Sequence, residues 1–165
     1  MWPTAMSSDA DFHAQALASA KMVVSMMEGH HTVVRAFVEW AAGRWEHFTR
    51  DAAGGAAPGV NRKAFHNAYE MARGGRGMKY YIGYAVGWVG LPQQHAWNVR
   101  GGELVEPTPC WAEMDRVTYY GVEVPLEVLD VLYEHYRTKG APEHGVTNDA
   151  FADVQWARAE RAAYR

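Results

Sequence analysis

Cysteine is almost missing from this chain: Cys110 is the one thiol in 165 residues. A single cysteine forms no internal disulfide and no multi-cysteine zinc site, and it suits a reducing, cytoplasmic setting. Long apolar runs are missing too. No stretch approaches the roughly 20 residues needed to span a bilayer, so a soluble chain with no membrane partner is expected. The opening "MWPTAMSSDADFH" has neither the basic start nor the apolar stretch of a secretory signal. Net charge is −3, with acids and bases interspersed. No basic block marks a nucleic-acid partner, and no charged run marks a disordered tail. No glycine-rich phosphate loop follows a strand, which removes support for a nucleotide fold. Internal repeats and low-complexity segments are absent.

What remains is a chain that is 48 % apolar and rich in Trp and Tyr, enough for one core in a single domain spanning 1–165. Ser7, Ser8 and Asp9 look like an N-cap, and Phe12, Ala16, Ala20, Val23, Val24 and Met27 follow at helical spacing up to Gly29. A second helix is expected from about Thr32 to about Asp51, with Val33, Val34, Phe37, Trp40, Ala41, Trp45 and Phe48 forming a core stripe. "DAAGGAAPGVNR" is a loop, and "KAFHNAYEMAR" is a short third helix closed by Gly74 and Gly75. The pattern then changes. "MKYYIGYAVGWVG", "HAWNV", "GELVEPT" and "RVTYYGVEV" are β-branched and aromatic, and read as strands. After Pro125 the helical period returns in Leu126, Leu129, Val131, Leu132 and Tyr136, and Thr147 opens a last helix. The fold class is therefore α+β, with N-terminal helices, a small antiparallel sheet of about four strands, and C-terminal helices.

Residues 95–106 form a natural hairpin around Arg100-Gly101-Gly102. With the turn at 100 and 101, His95 faces Glu106 directly. With the turn at 101 and 102, His95 faces Thr108, and Glu106 is its diagonal neighbour. Both registers put imidazole and carboxylate on one sheet face, because side chains alternate with a period of two; a three-residue turn separates them. A carboxylate on one ring nitrogen fixes the tautomer and leaves the other nitrogen for proton transfer, which is the base and orienter of a catalytic triad. A cross-strand polar pair at a sheet end is the plain alternative.

The segment "YYIGYAVGWVGLPQQHAWNVRGGELVEPTP" followed by "TYYGVEVP" resembles a group of small proteins, many from phages and bacteria. Their pattern is "Y-x-x-G-Y-A", then "H-A-W-x-V", "V-[DE]-P-T" and "Y-x-G-V", and they look like distant relatives of the papain-like and transglutaminase-like cysteine enzymes. The resemblance covers about 58–125. It implies attack on an amide or peptide bond by a cysteine at the start of a helix preceding the sheet, where the helix dipole and free N–H groups lower the thiol pKa. It implies a protein or peptide substrate and no metal or organic cofactor. In "KAFHNAYEMA" the nucleophile position holds Ala64, so a Cys-His-Glu triad reads here as Ala64, His95 and Glu106. Three explanations compete: a deliberate cysteine-to-alanine change that inactivates an enzyme, which is preferred; a natural pseudoenzyme, such as a phage factor that binds a host protein; or a takeover by Cys110, for which no helix N-terminus is foreseen.

Other residues carry weaker signals. Asn61, Gln93 and Gln94 are candidates to donate to an oxyanion, with loop or cap roles as the alternative. Trp97 shares the face of His95 and could roof a cleft or pack in the core. Tyr81, Tyr84, Tyr119 and Tyr120 could line the same cleft or pack within the strands. His66 and Glu70 lie at i, i+4 but lack the second histidine of a zinc helix, so a surface pair is expected. His30 and His31 are expected to be solvated.

Overall fold

The computed structural model describes residues 8–29, 37–55 and 57–138. Its elements are α1 (Asp9–Gly29), a helical turn α2 (37–41), β1 (Glu46–Arg50), α3 (Ala64–Gly74), β2 (Lys79–Val86), β3 (Gln93–Arg100), β4 (Glu103–Val105), the one-turn α4 (Pro109–Ala112), β5 (Val117–Val124) and α5 (Leu126–Thr138). All strand pairs are antiparallel, in the order β1-β5-β2-β3-β4. The α+β class stands, with five strands where about four are expected. His30, His31 and the helix starting at Thr147 lie outside the described residues.

Helix α1 starts where the sequence places it. Ser8 Oγ accepts the Asp11 N–H at 3.2 Å, satisfying one of the free donors of the first turn. Phe12, Ala16, Ala20 and Val24 are buried at helical spacing against Tyr84 and Val86.

The helix expected up to Asp51 is a correction. Helical structure ends at Ala41, Gly43 takes φ 75°, and residues 46–50 pair with β5 from Glu46↔Gly121 to Arg50↔Val117. Trp45 and Phe48 are three apart, a spacing that fits a helix stripe. The alternation of Glu46, Phe48 and Arg50 fits a strand equally well, and the open edge of β5 decides between them.

The sheet has two unlike faces. One carries Tyr80, Ile82, Ala96, Val122 and Val124 against α3 and α5, with Tyr84 and Val86 under α1. The other carries Tyr81, Ala85, Trp97, Val99, Val117 and Tyr119, and is covered by Trp111 of α4 and Met114. On this second face His95, Gly83 and Gly121 stand in one row across three strands. A side chain at Gly121 would meet the Ile82 carbonyl oxygen and Cη2 of Trp97, so the indole of Trp97 lies over this glycine. Gly121→Ala is therefore expected to lower stability by about 1–3 kcal/mol through overpacking, read as a lower denaturation midpoint at unchanged slope.

The β3–β4 hairpin settles the turn. Gly101 and Gly102 take φ 59° and 82°, the two positive values that a two-residue turn matching strand twist requires. Val99 pairs with Leu104 and Asn98 with Val105. Continued along the strands, this register sets His95 opposite Thr108 with Glu106 on its diagonal. Pairing stops at Val105, two residues before Pro107.

Candidate active site

The diagonal places the two groups in contact. His95 Nε2 lies 2.8 Å from Glu106 Oε2, and the two side chains are only 1 % and 2 % exposed. Burying an ion costs several kcal/mol unless other groups satisfy it. Here they do. Tyr119 donates its hydroxyl to the same Oε2 at 2.8 Å, and Oε1 accepts the Thr108 N–H at 3.0 Å. An ionised carboxylate accepts all three donors, which makes Nε2 of His95 the protonated ring nitrogen and Nδ1 the free lone pair. Nδ1 makes no hydrogen bond to a described residue.

Aromatic rings enclose the imidazole. Trp111 stands 4.5 Å away between ring centroids, with Tyr119 at 6.1 Å and Trp97 at 6.3 Å. Arg50 lies close enough for its charge to act on Tyr119. It is anchored through Nη2, which donates to the carbonyls of Trp111 and Met114. Burial and the neighbouring Glu106 charge raise the Tyr119 hydroxyl well above its ordinary pKa, while Arg50 opposes the shift. Burial raises Tyr80 in the same way, and burial with the Glu46 carboxylate raises Tyr81. The folded state thus keeps protons that the unfolded chain releases above about pH 10, so stability falls as pH rises through that point and is untouched near neutrality. Phenolate absorbance from Tyr80 and Tyr119 should appear only together with the loss of tertiary structure.

Ala64 opens α3 and is buried. Lys63 at the N-cap provides no side-chain cap, so the first N–H groups of α3 are not consumed by one. Hydrogen bonds tie this first turn to the segment after Glu106. Asn67 donates to Thr108 Oγ1 at 3.0 Å and exchanges bonds with both backbone groups of Val60. One residue on, the Ala68 carbonyl accepts Asn98 Nδ2 from β3 at 2.9 Å. A side chain at Gly59 would collide with Asn67 and the Pro107 carbonyl, so loop, helix start and hairpin end meet with no space to spare.

The remaining candidates separate. Asn61 Oδ1 accepts the Cys110 N–H at 2.8 Å, leaving its amide N–H₂ group exposed. Gln94 is exposed, and strand alternation turns it to the face opposite His95. Trp97 is fully buried and shares the His95 face. Tyr81 is on that face too, with its hydroxyl given to Glu46 Oε2 at 2.5 Å. Tyr84 and Tyr120 pack on the other face near α1. Cys110 differs from expectation: where no helix N-terminus is foreseen, it is the second residue of the one-turn α4, and its thiol makes no hydrogen bond to His95. No group of three metal-ligating side chains gathers among the described residues, His66 and Glu70 included. No described helix is long and apolar enough to cross a membrane.

Sequence reasoning missed the roles of Tyr119, Thr108, Trp111 and Arg50. Parity along β5 could have marked Tyr119 rather than Tyr120 only if the β2–β5 register were known. Nothing in "EPTPCW" announces that Trp111 folds back over the histidine. Compared with known proteins, the chain matches no family model, no curated protein and no solved structure.

Proposed function

We propose that this chain is a thiol-hydrolase-like domain of papain or transglutaminase type in which Ala64 occupies the place of the nucleophile. The observation that carries the reading is the enclosed His95–Glu106 pair, in which one ring nitrogen is held by a carboxylate also bonded by Tyr119 and Thr108, while the other ring nitrogen makes no hydrogen bond to a described residue. With a thiol at position 64, Nδ1 of His95 takes its proton, the sulfur attacks an amide carbonyl, and the imidazolium returns the proton to the leaving amine. The N–H groups at the start of α3 stabilise the oxyanion. Glu106 stays ionised and holds the ring. The chemistry requires no metal or organic cofactor. As written, the chain binds a protein or peptide substrate in the cytoplasm and does not turn it over. The test restores the sulfur by Ala64→Cys and measures whether its alkylation depends on His95.

A second reading, a non-catalytic binding protein such as a phage factor engaging a host protein, has its own support. Trp88, Val89 and Leu91 are 65 %, 68 % and 64 % exposed on the β2–β3 turn. Trp88 donates to Asp115 at 2.9 Å, which fixes this apolar tip in place. A restored thiol that ignores His95 would favour this reading.

A further inference from the structure

The hydroxyl of Tyr119 and Nε2–H of His95 converge on one carboxylate oxygen, Glu106 Oε2, each at 2.8 Å, while Oε1 is held separately by the Thr108 N–H. Two donors on one acceptor oxygen compete. Each draws electron density from the lone pairs the other uses, so the oxygen bonds each less strongly than it would bond either alone. The bond that Glu106 makes to His95 is therefore set in part by a third residue that does not touch the imidazole nitrogens.

We infer that Tyr119 is a positioning residue of the candidate site: by sharing Glu106 Oε2 it weakens the carboxylate's hold on Nε2–H of His95 and so limits the basicity of the opposite nitrogen, Nδ1. As a statement about catalysis this rests on the hydrolase reading; as a statement about the hydrogen bonds it does not. The arrangement is fixed by the fold. Tyr119 is fully buried on β5, opposite Ala85 of β2 and Phe48 of β1, and packs against Trp97 at 5.0 Å between centroids. Its hydroxyl stays protonated, and so remains a donor, because burial and the Glu106 charge both oppose ionisation. The charged groups that bear on the cluster are Glu106 from the segment after β4 and Arg50 from β1, with Arg50 pinned to backbone carbonyls and unable to swing toward Oε2 without breaking them.

The experiment grades the donor at position 119 and reads the Nε2–H proton of His95 by nuclear magnetic resonance in the chain as it stands, with Ala64 present. Tyr119→Phe removes the competitor, so the bond to His95 tightens and the proton moves downfield. Site-specific 3-fluorotyrosine at the same position keeps the ring and fold with a stronger donor, so the proton moves upfield. A tyrosine that only fills space gives no such pair of opposite shifts. Shifts of the same sign, or none, overturn the inference. If Tyr119→Phe does not fold, the fluorinated protein decides alone: an upfield shift supports the inference and its absence ends it. In an Ala64→Cys background, Tyr119→Phe should also raise the rate of alkylation at low pH roughly two- to ten-fold, the factor carried by one hydrogen bond of ordinary net strength. Opposite shifts together with a thiol indifferent to His95 would leave the hydrogen-bond inference intact and remove the hydrolase reading.

Discussion

Glu106→Ala is expected to cost about 3–5 kcal/mol of folding stability, the range for breaking a buried charged pair from one side. The size follows from what is stranded. Nε2–H of His95, the Tyr119 hydroxyl and the Thr108 N–H all point at this carboxylate, and all three belong to buried residues. A buried donor without an acceptor costs about 1–3 kcal/mol, and the void left by the side chain adds to the loss. Glu106→Gln separates the charge from the shape. Its amide keeps an oxygen for Thr108 and presents an N–H₂ group to two donors, so the histidine must give up its Nε2 proton and the tyrosine must turn its hydroxyl away. The glutamine variant should lose less stability than the alanine variant and, in an Ala64→Cys background, lose His95-dependent alkylation to the same extent. Denaturant titrations of both check the order. A loss below about 1 kcal/mol for Glu106→Ala would place the carboxylate in solvent rather than in the enclosed network, since surface pairs have that magnitude.

The same network shows what could be read in advance. Gly101-Gly102 favours a two-residue turn, and either register of such a turn puts positions 95 and 106 on one face; a three-residue turn, which separates them, is ruled out only by the structure. The preference for the short turn needs only local chemistry. The first turn of α3 was legible for a like reason: "KAFHNAYEMARGG" has its helical period and its glycine stop within a dozen residues. Tyr119 was not legible as a partner of Glu106, because its side depends on how β5 pairs with β2 across more than 30 residues of intervening chain. The misread helix over 46–50 has the same origin. Trp45 and Phe48, three apart, suit a helix while the segment 46–50 suits a strand as well, and only the vacant edge of β5 selects the strand. Long-range pairing carries this information, and short windows of sequence do not contain it.

Ala64→Cys, made in a Cys110→Ser background so that one thiol remains, is expected to produce a nucleophile that reacts with iodoacetamide below neutral pH. A free thiol of pKa about 8.5 is ionised to only about 0.3 % at pH 6, whereas a cysteine at a helix N-terminus beside an imidazolium falls to about 3.5–7.5. Near the middle of that range, a pKa of about 5.5, the thiolate fraction at pH 6 rises by about 240-fold. The less basic sulfur is also a weaker nucleophile, with a Brønsted slope of about 0.4–0.5, which returns more than a factor of ten. The net acceleration at pH 6 is therefore about 10-fold, and the shape of the pH profile says more than the rate does. A thiolate–imidazolium pair keeps the rate level down to the lowered pKa, whereas an ordinary thiol loses a factor of about ten per pH unit below about 8.5. His95→Ala in the same background should restore the ordinary profile. That control carries the weight, because the start of α3 could lower the pKa of any cysteine through its N–H groups alone, and only the imidazole makes the effect depend on a residue from β3. A level profile that survives His95→Ala assigns the shift to the helix and leaves the His95–Glu106 pair with a structural role.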